Sequence, residues 1–290
     1  MPEFDTTGPI DVTIDLPVGD VRITAGDTPG TTVHVRPANP KREADKRVAE
    51  QTIVEYADGR LLVKGPQNPV LGLLRPVIGP FNGKNSGIVT VEVTVATGSS
   101  LNAEGGVINL TSTGTFGDCR VKSGCGDIRL DRAGSVTAHT GAGTVVVRAA
   151  DGDAEVTTGS GEVRVGTVGH GARVKNANGQ THIESVGGAL RARASNGGIL
   201  VGRTGGAVDA ATAHGDIRIG EVGPGEVGLK TAMGELEVGV PDGMPAYLDV
   251  QTSFGSVQNR LSQSGAPRDG EQHVEVHART AYGDIIIRRP

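Results

Sequence analysis

From Gly126 onward one pattern keeps returning. A glycine is followed by a small polar or acidic residue, then by two apolar residues separated by a polar one, as in Gly126-Asp127-Ile128-Arg129-Leu130. Taking that glycine as position zero, it falls at Gly126, Gly143, Gly161, Gly179, Gly197, Gly215, Gly234, Gly255 and Gly283, with spacings of 17, 18, 18, 18, 18, 19, 21 and 28 residues. Self-similarity at a fixed period predicts a stacked array. Such a period is too short for a four-stranded propeller blade and suits one coil of a β-solenoid. A unit this small cannot bury its apolar face alone, so each coil is stable only when stacked on its neighbours.

The columns of the repeat say which residues face inward. At +2 stand Ile128, Val145, Val163, Thr181, Ile199, Ile217, Leu236, Val257 and Ile285. At +4 stand Leu130, Val147, Val165, Ile183, Val201, Ile219, Val238, Asn259 and Ile287. Two more apolar columns, at −7 and −5, begin at Cys119 and Val121 and end at Val276 and Ala278. Alternation with period two makes each apolar pair a short strand, so one coil is expected to hold two strands and two turns. Burying a Val-sized side chain is worth roughly 1.5–3 kcal/mol. Ordering the rest of the coil offsets most of what four or five such side chains contribute, so the margin per coil is thin.

Composition fits a narrow, layered core. Aromatic residues make up 2% and Trp is absent, so Val, Ile, Leu and Ala must fill the interior. Gly is 46 of 290 residues, well above the usual ~7%, and it supplies backbone with φ > 0 at turns. The net charge of −5 argues against general nucleic-acid binding, which needs a basic domain. Two cysteines, Cys119 and Cys125, do not make a disulfide scaffold. Cys119 falls in an inward column and Cys125 in a turn; whether they pair is left open. The N-terminus has no basic n-region and no apolar h-region, and no run approaches the ~18 apolar residues of a membrane span. The expected location is therefore the cytoplasm.

Residues 1–100 break the period and read as an N-terminal β-rich cap, with the repeat region over 101–290. Asp11–Leu16, Asp20–Ile23 and Thr32–Val35 alternate as strands. Pro40 to about Glu50 is the one good helix candidate, rich in helix formers. Thr52–Tyr56 and Arg60–Lys64 flank Asp58-Gly59, a hairpin dipeptide. The stretch 65–87 is rich in Pro and Gly yet carries Val70, Leu71, Leu73, Leu74, Val77, Ile78 and Phe81, which suggests a lid packed over the end of a core, with a partner or membrane-surface contact as the alternative. Residues 262–272 read as a loop inserted before a last coil, Val274–Ile287.

Each polar column has a structural and a functional reading. The acids after the zero glycine (Asp127, Glu162, Asp216, Glu235, Asp284) suggest a calcium β-roll. Four of the nine positions are not acidic, though, and calcium needs six to eight oxygen ligands. Turn chemistry, in which Asp and Ser bond their own backbone, explains them better. The hydroxyl column at −3 (Ser123, Thr140, Thr158, Thr212, Thr231, Thr252, Thr280) reads as turn residues satisfying backbone groups, with ice or sugar binding as the alternative. His139, His170, His182 and His214 lack metal-ligand spacing. At −4 a basic stripe, Lys122, Lys175, Arg193, Lys230 and Arg279, offers an anion or partner surface. No catalytic, cofactor-binding or metal-ligating constellation stands out.

Val-Lys-Ser-Gly followed by Gly126-Asp127-Ile128-Arg129-Leu130, with copies such as Gly215-Asp216-Ile217-Arg218-Ile219, resembles the bacterial putative-adhesin domain. This β-strand-repeat family of unknown function is also called the toast-rack fold. The N-terminal strands, the helix near 41–50 and the Asp58-Gly59 hairpin resemble its actinobacterial branch. The resemblance covers most of the chain and implies envelope-stress or membrane-associated scaffolds, with no catalytic residues to transfer.

The reading is an all-β, single-stranded β-solenoid, right-handed β-helix-like, of ~18-residue coils. An N-terminal β-rich cap carries one short helix. The expected function is a non-enzymatic scaffold or interaction module without cofactors, with a protein partner or itself as partner. Self-association is expected through coil-end stacking at Tyr282, Ile285, Ile286 and Ile287, three residues from the chain end. The alternative is a carbohydrate- or anion-binding surface protein; membrane contact is left undecided.

Overall fold

The structure, a computed structural model, describes residues 2–28, 30–66, 87–262 and 272–290. The seven apolar residues of the expected lid and nearly all of the loop 262–272 lie outside the described residues. The chain divides into two compact units, Met1–Ala133 with Ala138–Gly141, and Gly134–Thr137 with Ala142–Pro290.

In the first unit the strands are β1 (Glu3–Phe4), β2 (Asp11–Gly26), β3 (Thr31–Pro37), β4 (Ile53–Ala57), β5 (Arg60–Lys64), β6 (Val89–Ala96) and β7 (Ser100–Thr113), with helix α1 (Glu43–Gln51) between β3 and β4. The two strands expected at 11–16 and 20–23 are one strand, β2. Its buried residues are Val12, Ile14 and Leu16, then Val21, Ile23 and Ala25. The parity switches between them, so the strand turns its inward face without a tight turn. Its first part pairs with β5, its second part with β6, and its whole length with β7, all in parallel. β7 in turn places Leu101 opposite Cys119 and Leu110 opposite Ile128, so the 18-residue step already operates here. The Asp58-Gly59 turn forms as expected, with both residues at positive φ (49° and 76°), between antiparallel β4 and β5.

Helix α1 packs on β3 and β6. Its anchor is Asp45, buried at 1% exposure. One carboxylate oxygen accepts the Asn39 N–H at 3.0 Å, and the other accepts the Ile88 N–H at 3.0 Å and faces Arg42 at 3.6 Å. A buried carboxylate is tolerable because each oxygen has a donor. Asp45 thereby ties the helix to the segment just after β3 and to the one just before β6.

The second unit is a β-solenoid. Each coil contributes one strand to each of two parallel ladders. One ladder runs Ala154–Ser160, Ala172–Asn178, Leu190–Asn196, Val208–Ala211 and Gly225–Met233. The other runs Val145–Ala150, Val163–Val168, Thr181–Val186, Ile199–Thr204, Ile217–Glu221 and Leu236–Gly239. Partners step by one repeat, as in Ala154↔Ala172 and Val163↔Thr181. The four apolar columns are buried throughout these coils.

The zero glycines all adopt positive φ. At Gly161 (φ +144°) an added Cβ would lie 2.1 Å from the carbonyl oxygen of Gly143, one coil earlier, so glycine is needed both for conformation and for space. The same carbonyls explain the hydroxyl column. Thr158 donates to the Gly143 carbonyl, Asn176 to Gly161, Thr212 to Gly197 and Thr231 to Gly215, at 3.1–3.3 Å. These side chains are buried, which removes the ice- or sugar-binding reading. The column after the zero glycine also bonds backbone, but of the next coil rather than of its own turn: Asp216 accepts the Glu235 N–H at 2.9 Å, and Gln180 accepts that of Gly198 at 3.1 Å.

The end of the solenoid departs from chain order. Gly225–Met233 pairs with Val274–Tyr282, and Leu236–Gly239 pairs with Ile285–Arg288. Those two strands pair on their other sides with Ala246–Phe254 and Val257–Asn259. The last coil in sequence is therefore the second-to-last in space, and the chain passes over one coil position before returning to fill it. Thr280 bonds the Gly234 carbonyl and Thr252 the Gly283 carbonyl, which gives the same order. The expectation that Tyr282, Ile285, Ile286 and Ile287 form the free coil end is thus overturned. Ile285 and Ile287 are fully buried, with a coil on either side.

Candidate functional site

Two features of the second unit are candidates: the outward face of the first ladder, and the coil Ala246–Asn259. On the outward face, register places Thr157, Lys175, Arg193, Ala211, Lys230 and Arg279 in one line. Glu155, Arg173, Arg191, Asp209, Gly228 and His277 stand in the next. The stripe is less free than its sequence suggests. Arg193 forms an ion pair with Asp209, which also faces Arg191 at 3.4 Å. Arg279 faces Asp249 at 3.4 Å. Lys122, in the first unit, faces Glu104 at 3.1 Å. Among the described residues, only Lys175 and Lys230 of the five have no ion pair. A surface pair of this kind contributes little stability, but it leaves the face with mixed sign.

An open groove of about 810 Å³ crosses this face, floored by small residues such as Gly171, Ala189 and Ala207 and edged by Glu155, Arg173, Arg191 and Glu226. A depression of about 290 Å³ adjoins it where Gly228 leaves an outward position empty, between Asp209, Lys230, His277 and Arg279. A Cβ added there would meet only the Val208 carbonyl oxygen, at 3.8 Å. His277 Nδ1 lies 3.4 Å from Asp249, whose carboxyl is held below its ordinary pKa by the bonds from His277 and Arg279. The other imidazole nitrogen lies 4.0 Å from Glu275 rather than against a hydroxyl or thiol. A histidine flanked by two carboxylates has no nucleophile to activate. Among the described residues, no group of three or more His, Cys, Asp and Glu side chains is arranged to hold a metal ion.

The two cysteines are free and differ in environment. Cys119 is buried in its column, and burial, with Asp118 nearby, pushes its thiol up to about 12. Cys125 is exposed.

The coil Ala246–Asn259 is the feature that sequence reading missed. Leu248 and Val250 occupy inward columns yet are only half-buried, and Val257 is 45% exposed where its column mates are at most 2% exposed. Tyr247 and Phe254 are exposed, and Phe254 stacks on Tyr282 with centroids 4.9 Å apart. Two signals pointed here. The spacing of 28 residues before Gly283 allows the chain to return, and Asn259 is the only polar residue in the +4 column. Terminal repeats are commonly atypical. No helix of the described residues is long and apolar enough to cross a membrane.

Among solved structures, a putative adhesin from Bacteroides fragilis aligns over 99% of this chain and 95% of its own, at 11% identity and a TM-score of 0.35. One from Parabacteroides distasonis aligns over 98% and 95%, at 10% identity and a TM-score of 0.34. A putative cell adhesion protein from Clostridium sporogenes aligns over 97% and 93%, at 10% identity and a TM-score of 0.24. No curated protein matches the sequence significantly. The family match is to Toastrack DUF4097 and spans residues 11–288. By that match, over nearly its whole length, the chain belongs to the Toastrack family.

Proposed function

We propose that this chain is a non-enzymatic interaction module whose working surface is the open edge of the coil Ala246–Asn259. One observation carries the reading: among the described residues this coil has a neighbour on one side only, and its inward apolar residues Leu248, Val250 and Val257 are left partly in water. An exposed strand edge is a template for strand addition. The mixed-sign outward face supports the non-enzymatic part, because Asp209 and Asp249 are engaged by arginines. The envelope-stress setting enters the proposal from the resemblance alone. The carbohydrate- or anion-binding alternative keeps Lys175 and Lys230 as its uncommitted cations and is weaker for that reason.

The test is a fluorescent peptide with the sequence of residues 273–288, which already fits the opposite edge of this coil. At protein concentrations low enough to leave the chain monomeric, anisotropy rises saturably. Val250→Pro weakens binding by about tenfold or more, since it removes an edge N–H. Absence of saturable binding, or binding indifferent to Val250→Pro, removes the reading.

A further inference from the structure

We infer that the partner of this edge is the same edge of a second copy, paired antiparallel about Val250 to give a closed two-fold dimer. The inference rests on the reading of Ala246–Asn259 as an interaction edge and names its occupant.

The phase of the ladder comes first. The Val274 N–H donates to the Pro245 carbonyl at 3.0 Å, while Ala246 is the register partner of Val274. In a parallel ladder, alternate residues bond to opposite neighbours. Ala246, Leu248, Val250 and Thr252 therefore turn their N–H and C=O groups to the open side. The same reasoning, from Ile285 N–H to the Ser256 carbonyl at 2.9 Å and Arg260 N–H to the Ile287 carbonyl at 2.8 Å, places Val257 and Asn259 on that side. The edge lacks the usual protection: residues 246–259 hold no Lys, Arg or Pro, and Asp249 is their one charge.

Register follows from phase and charge. Two copies of Ala246–Phe254 bond only if even-numbered residues face even-numbered residues. Full overlap then puts Val250 opposite Val250 and Leu248 opposite Thr252; the pairing ends before Phe254, whose carbonyl already accepts the Gly283 N–H at 3.0 Å. On the outer face it puts Asp249 opposite Gln251 and Tyr247 opposite Ser253. Sliding one copy by two residues in one direction sets Asp249 against Asp249, which is destabilising; sliding the other way shortens the overlap. This register pairs Leu248, Val250 and Thr252 of the two copies with one another and opposes no like charges.

Closure follows from the first unit. There β2 is paired along both sides, and β5 and β6 beyond it are covered by antiparallel β4 and β3. No bare parallel coil stands there, among the described residues, for the Ala246–Asn259 edge to stack on. An isologous contact uses one patch twice and stops at two copies.

The experiment is light scattering after size exclusion over a concentration series, with three sets of variants. The unaltered chain runs at twice the mass of one chain at high concentration. Val250→Pro, which removes an N–H unbonded within its own copy, runs at the mass of one chain with its circular dichroism spectrum retained. Gln251→Asp sets carboxylates against Asp249 of the second copy and weakens the dimer by about tenfold. In a Cys125→Ser background, Asp249→Cys and Gln251→Cys chains cross-link when mixed and oxidised, and neither does so alone. That cross-strand position is a close, non-hydrogen-bonded pair.

A single-chain mass at every concentration overturns the inference, as does equal cross-linking of the single variants. If the 273–288 peptide still binds in a Val250-dependent way, only the second-copy occupant falls. If peptide binding fails too, the interaction reading falls with it.

Discussion

In the first unit the outer strand β3 has β6 on one side and β1 on the other, and a helix packs over it, pinned by the buried Asp45. The coil Ala246–Asn259 of the second unit has one neighbour and nothing over it among the described residues. Both are boundary elements of β-sheet, and strand chemistry is much the same in each. The difference is that the first boundary is built from non-repeating sequence, with a helix and a carboxylate that satisfies two backbone N–H groups. The second is one more copy of the repeat. A repeat ends cleanly only when something unlike itself covers it.

The largest effect should come from breaking the first boundary. Asp45→Ala leaves the Asn39 and Ile88 N–H groups buried without an acceptor and should cost about 3 kcal/mol. Chemical denaturation measures it, and hydrogen exchange should localise it to α1 and β3. A stability loss under about 1 kcal/mol would mean that water replaces the carboxylate.

Next comes a matched pair in one column. Val174 is 1% exposed and Val250 half-buried, at the same position of the repeat. Val174→Ala should cost about 2 kcal/mol, and Val250→Ala less than about 0.5 kcal/mol in the monomer. Equal costs would show that the edge is covered in solution, and concentration dependence would separate a second copy from any other cover.

Two substitutions should stabilise. The Thr204 hydroxyl is buried without a partner among the described residues, in register with the apolar Ala150, Val168 and Val186, so Thr204→Val should gain about 1 kcal/mol. Ala194 is the one residue of the −3 column that cannot donate to the preceding coil, so Ala194→Thr should gain a similar amount. Each predicts a rise of a few degrees in Tm at most. A fall at Ala194→Thr would mean that the coil has closed around the smaller side chain.

The smallest effect concerns pH at the edge. The bonds from His277 and Arg279 lower the pKa of Asp249 in the folded chain. That contribution is present above the unfolded carboxyl pKa of about 4 and is lost as pH falls through the lowered folded value. Amide protection over Ala246–Phe254, corrected for intrinsic exchange, should fall in that acid range. Asp249→Asn should remove the step.

Much of this was legible because a solenoid is made of local and nearest-neighbour terms. Gly161 announces a turn by being glycine, and Ile128 and Leu130 announce an inward strand by their spacing. The Asp58-Gly59 hairpin needs no other part of the chain. The helix was legible within a few residues, but its anchor was not. Asp45 reads as one more charge in a charged run, and only the fold brings Asn39 and Ile88 to it. The basic stripe was legible as a column, whereas its neutralisation depended on Asp209 and Asp249 arriving from neighbouring coils.

The sequence by itself determined the period, the inward columns, the glycine turns and the buried threonine ladder, because each follows from residues within one coil or the next. Only the tertiary structure decided the order of the last coils. Every coil presents the same width, the same backbone phase and the same apolar columns, so Gly225–Gly239 can accept either Ala246–Asn259 or Val274–Arg288. Non-local contacts select the latter: Arg288 pairs with Glu237, and Arg289 donates to the carbonyls of Val240 and Pro241. The coil carrying Asn259 at an inward position is left outermost, where that amide can stay in water.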